Sequence, residues 1–206
     1  MKKLLEEIRG CSICKAHLPL GPRPIISAHP KSRIMIIGQA PGAKVHASGV
    51  PWDDASGKEL RRWLGVAPEV FYDEKIFALM PMGFCYPGKG TSGDLPPRPE
   101  CAPQWHNKVL NSLKDLELII LIGQYSQGFY LGDDAKDTLT ETVHNYKAYL
   151  PKFLPLPHPS PRNQIWQRRN RWFEKLVIPK LQSIIKAMLK ESRSQKIGNS
   201  HRHQPG

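Results

Sequence analysis

The chain has 206 residues, 40% hydrophobic and 23% charged, and its 30 Lys and Arg outnumber 18 Asp and Glu to give a net charge of +12. That is the composition of one ordinary globular domain with room for a real core, and the basic excess favours a polyanion, nucleic acid first. No apolar run approaches a membrane span and MKKLLEEIRG lacks a signal-peptide core, so a cytoplasmic monomer with no membrane partner is expected.

In chain order, KKLLEEIRG reads as a short amphipathic helix running into Cys11, followed by the turn-rich stretch HLPLGPRPIISAHPKS. RIMIIG (33–38) is a compact apolar run of the kind that forms a buried parallel strand. KIFALM (75–80), ELIILIG (117–123) and KFLPLP (152–157) are three more strand candidates, the last weakened by its prolines. GKELRRWLG, APQWHNKVLNSLKDL and QYSQGFYL between them carry helical patterns. From Gln164 to Ser192 runs one long helical pattern that Pro179 should kink or split. Strands alternating with helices predict an α/β domain over 1–192, with a basic tail, 193–206, that has nothing to bury and is expected to be disordered.

In such a sheet, ligands bind beyond the carboxyl ends of the strands, so the loops opening at Gly38, Pro81 and His158 matter most. The first, GQAPGAKVHASGVPWDDASGKEL, lacks the dinucleotide and P-loop fingerprints. It offers an aromatic that can stack on a base (Trp52), two acids that can orient water (Asp53, Asp54), and a helix start at Ser56, Gly57 and Lys58 that can receive a phosphate. Equally, Trp52 can be core, and Asp53 or Asp54 an N-cap. The last loop, PLPHPSPRN, holds His158 among four alternating prolines and follows it with Ser160 and Arg162; Arg168, Arg169 and Arg171 lie just beyond. From Arg162 onward, eleven basic residues face two acids.

Four cysteines in a reducing compartment suggest metal or catalysis before disulfides. Cys11-x2-Cys14 precedes the first strand, and Cys85 and Cys101 bracket a Gly- and Pro-rich loop. Spacing alone suits zinc and an iron–sulfur cluster alike.

These elements in this order resemble the uracil-DNA glycosylase superfamily, and especially its iron–sulfur branches, families 4 and 5. The resemblance rests on Cys11-Ser12-Ile13-Cys14, Gly38-Gln39-Ala40-Pro41-Gly42, Gly49-Val50-Pro51-Trp52, Cys85 with Cys101, and His158-Pro159-Ser160, and covers roughly residues 1 to 190. It implies a three-layer α/β/α sandwich with a central, mostly parallel four-stranded sheet and a 4Fe–4S cluster on the four cysteines, in preference to zinc. It also implies excision of uracil or another deaminated base from DNA. His158 then stabilises charge on the leaving base, Asp54 (with Asp53 second) or Gln39 serves the sugar or the water, and Trp52 stacks on the base. Ala40, Pro41, Gly42 and Pro81 line the base pocket. Ser160 and Arg162 contact DNA, Arg162 as wedge or phosphate ligand.

Three departures stand out. Gln39 replaces the acid of family 4. Trp52 replaces a stacking Phe. Pro81 occupies the position of an Asn that reads the uracil edge, which puts strong uracil discrimination in doubt and leaves open a DNA-binding or damage-sensing protein that has lost excision.

Overall fold

A computed structural model describes the backbone of residues 1–200 and the side chains of 1–191. Its centre is a parallel sheet in the order β2-β1-β3-β4, formed by β1 (Ile34–Ile37), β2 (Phe77–Leu79), β3 (Leu118–Ile122) and β4 (Phe153–Leu156). Each matches a predicted apolar run. The runs are apolar at successive positions because both faces are covered. Ile34, Ile36, Leu79, Ile120 and Leu156 join one core, whereas Met35, Ile37, Ala78, Ile119 and Leu121 join the other. Burying each such Ile or Leu contributes about 1.5–3 kcal/mol.

Over the first face lie α3 (Ala55–Leu64), α4 (Pro68–Phe71), α7 (Leu139–His144) and α9 (Ile178–Ser200). Over the second lie α1 (Lys2–Arg9), α5 (Asn107–Asn111) with the wide turn Ala102–His106 before it, and α6 (Gln124–Leu131). The result is the expected three-layer sandwich, with its sheet parallel throughout. Pro155 is accommodated because β4 is an edge strand, pairing through Pro155 with Leu121 on one side only.

The structure departs from the sequence expectation at its long C-terminal helix. That pattern breaks at Asn170, whose Nδ2 donates to Trp166 O at 2.9 Å and ends α8 (Gln164–Arg169). Pro179 does not split the second piece. A π-type turn over Phe173–Val177 leads straight into α9, and its wider spacing absorbs the missing proline donor. Two helices went unforeseen besides α4: α2 (Ala43–Ser48) and α7, although Thr138 and Glu141 form a capping box whose T-x-x-E signature stands in the sequence. The predicted tail, 193–206, lies outside the residues whose side chains are described. Among the described residues, no helix is long and apolar enough to cross a membrane.

Candidate active site

All four strands point the same way, so the loops after them gather at one end of the sheet. Neighbours diverge there between β1 and β3, which opens a crevice. A cleft of about 640 Å³ occupies it. The predicted residues Gln39, Ala40, Pro41, Gly42, Trp52, Asp54, Ser56, Pro81, His158, Ser160 and Arg162 all line this cleft. Asp53, Gly57, Lys58 and Arg168 do not. Asp53 is exposed and its charge acts on the Tyr72 hydroxyl, while Gly57 is buried beneath the Trp52 backbone.

Trp52 is held in an unusual posture. Its φ is +59°, a region that bulky residues rarely enter. The strain is retained because two glycines receive it. A Cβ on Gly38 would stand 2.7 Å from the indole ring, and one on Gly57 only 1.7 Å from the Trp52 carbonyl oxygen. With both sites bare, the ring lies across the end of β1 and reaches His158 at 5.9 Å between centroids.

Asp54 caps α3. Its Oδ1 accepts the Gly57 N–H at 2.8 Å. The N-cap reading of this residue therefore holds alongside its place in the cleft, because a cap uses one carboxylate oxygen and leaves the other. His158 has its proton affinity lowered by burial, and the negative charge of Asp54 opposes that shift. Its loop is braced by Asn163, whose Nδ2 donates to His158 O at 2.8 Å.

Pro81 lines the cleft, and its carbonyl joins a buried network. His106 Nε2 lies 3.2 Å from Pro81 O, and His106 Nδ1 lies 2.7 Å from the Tyr130 hydroxyl. Pro81 O can only accept, so Nε2 donates to it, and in the neutral ring Nδ1 then accepts from the Tyr130 hydroxyl. Burial drives the His106 pKa down to about 4 and pushes the Tyr130 hydroxyl up. Sequence reading missed this pair because His106 looks like any histidine within a helical pattern.

It also missed a strap over the cleft mouth. Residues 88–95 fold back through Gly90 N–H to Gly93 O at 2.6 Å and Leu95 N–H to Gly88 O at 2.9 Å. Ser92, Gly93 and Asp94 line the cleft from this strap. Its three glycines mark a turn in the sequence but do not say what the turn covers.

Residues 26–182 match the family model described as the uracil DNA glycosylase superfamily, about three quarters of the chain. The chain belongs to the uracil DNA glycosylase superfamily. Members of this superfamily are DNA glycosylases, hydrolases of N-glycosyl bonds, with DNA as their partner.

The match begins beyond Cys11 and Cys14, so it covers only two of the four cysteines. All four are free of disulfides, with Cys14, Cys85 and Cys101 buried. Burial drives the Cys85 thiol up to about 12 and that of Cys101 to about 11, while backbone hydrogen bonds from Arg23 and Phe84 act in the opposite direction. The charges of Cys11 and Cys14 bear on both, so the four side chains share one neighbourhood. Among the described residues, however, no group of three or more His, Cys, Asp or Glu side chains is arranged as a metal-ligand sphere.

Proposed function

We propose that this superfamily member excises uracil or another deaminated base from DNA, as a monofunctional DNA glycosylase. The observation that carries the reading is the meeting of Trp52, Asp54 and His158 in one cleft, where burial favours the neutral form of His158 and the charge of Asp54 acts on it. Breaking an N-glycosidic bond builds positive charge on the sugar and negative charge on the base. Neutral imidazole is a hydrogen-bond donor suited to the base oxygen, and a carboxylate suits the sugar cation. Trp52 offers a π face to a flipped base before any bond breaks.

The donor set favours the iron–sulfur branch. Four thiols in one mostly buried neighbourhood, two of them packed with Leu18, suit a thiolate-bound centre on Cys11, Cys14, Cys85 and Cys101. When bound, a 4Fe–4S cluster ties the segment after α1 to the exit of β2 and the start of the turn at Ala102. Iron and sulfide assays on anaerobically purified protein test this. Zinc alone, or unchanged metal content in Cys101→Ser, overturns it.

Pro81 supports a second reading, a DNA-binding protein that has lost excision, because its carbonyl is taken by His106 and its side chain carries no hydrogen-bonding group. One assay separates the two. Oligonucleotides bearing uracil, hypoxanthine or xanthine are incubated with the protein, and abasic sites are cleaved with alkali. Cleavage of at least one substrate is expected. DNA binding without any abasic product, with the metal centre intact, establishes the second reading.

A further inference from the structure

The strap brings a carboxylate to the cleft that the residues named so far do not account for. Two side chains from opposite loops pin it. Gln39 Nε2 donates to Leu95 O at 3.4 Å, and Arg162 Nη1 donates to Ser92 O at 3.1 Å. Gly93 has φ +153°, and a Cβ there would stand 2.5 Å from Arg162 Nη1, so the turn beneath Arg162 requires glycine. Pinned this way, Asp94 faces the loop after β1. A Cβ on Gly42 would lie 3.4 Å from Asp94 Oδ2.

We infer that Asp94 holds and deprotonates the attacking water, an inference that rests on the glycosylase reading. Asp54 already gives one oxygen to the Gly57 N–H and lies within reach of His158, which suits it to charge stabilisation. Gln39 cannot take up a proton, and its amide is engaged in seating the strap. A carboxylate at position 39 would meet the Leu95 carbonyl acceptor to acceptor. Amide at 39 and acid at 94 are therefore complementary. Asp94 enters on the loop after β2 and His158 on the loop after β4, so the two reach one cleft from the two edge strands of the sheet.

In the step, the C1′–N bond breaks and its electron pair leaves on the base, stabilised by the His158 hydrogen bond. The water oxygen bonds to C1′, and its proton passes to Asp94 and then to solvent through the cleft mouth. The base anion takes a proton from solvent.

Asp94→Asn and Asp94→Glu, assayed on whichever of the uracil, hypoxanthine or xanthine oligonucleotides the unaltered protein cleaves, test this. Asp94→Asn should lower kcat by about 10² or more, the usual contribution of a general base, with KM little changed. Asp94→Glu, which keeps a carboxylate, should recover part of the lost kcat, as a residue with a merely structural role would not. If the unaltered protein is active and Asp94→Asn matches it in kcat, the inference fails while the glycosylase reading stands. A loss confined to KM also overturns it, since that marks a seat for the strap. If the unaltered protein releases no base from any of the three, the glycosylase reading fails and this inference with it.

Discussion

Asp54→Asn leaves an oxygen to accept the Gly57 N–H, whereas Asp54→Ala removes it. The two substitutions therefore separate structure from chemistry at one position. Asp54→Ala should lose about 1 kcal/mol of stability as a lost N-cap, and Asp54→Asn almost none. Both should lose most excision activity, because neither keeps the charge that the proposed function sets against the sugar. Denaturant midpoints and single-turnover rates on the same preparations check this. His106 gives a pH prediction. Burial holds its folded pKa near 4, below the ordinary imidazole value of 6.5. The unfolded chain then takes up a proton that the folded chain refuses, so this stability is complete above about pH 6.5 and is lost as pH falls toward 4. A shift of this size corresponds to about 3 kcal/mol. Midpoints measured across that window should show the loss, and His106→Gln, which can hydrogen-bond but does not titrate, should flatten it.

At the scale of elements, the cleft depends on contacts between loops that leave different strands. Arg162 illustrates this. The sequence offers it as a wedge or phosphate ligand, whereas in the fold it donates to Ser92 O and covers Gly93. Arg162→Ala should therefore loosen residues 88–95 before it changes anything at His158. Faster amide hydrogen exchange confined to the strap, with a raised KM, is the expected result. Unchanged exchange there would make Arg162 a DNA contact only. The same scale explains why one helix was read where two exist. Asn170 fits a helical pattern by position, but its side-chain amide competes for the Trp166 carbonyl once the chain turns there.

For the whole molecule, the dominant property is charge. Eleven basic residues from Arg162 onward against two acids give the last 45 residues most of the excess, and exposed Arg168 and Arg169 at the end of α8 stand just beyond the His158 loop. DNA affinity should fall steeply and linearly in log salt, because each phosphate contact releases condensed counterions. Fluorescence anisotropy between 50 and 200 mM salt, on the order of the range over which such slopes are read, measures the slope. Arg168→Ala should reduce it by about one unit if that residue contacts one phosphate.

The apolar runs of β1 to β3, the pattern of α6 and the order of the loop motifs were legible without coordinates, because burial on two sheet faces and helical periodicity write themselves into consecutive residues. Trp52, Asp54 and His158 could be named as candidates for the same reason: their residue types carry the chemistry. Their arrangement was not legible. That Asp54 caps a helix while facing the cleft, that Gly38 and Gly57 are bare so that Trp52 can stand at φ +59°, that His106 backs Pro81, and that Asp94 arrives beside Gly42 all depend on contacts between residues far apart in the chain. Local sequence has no term for such contacts. They exist only once the parallel sheet brings its four carboxyl ends together, and tertiary packing decides which side chain of each loop faces inward.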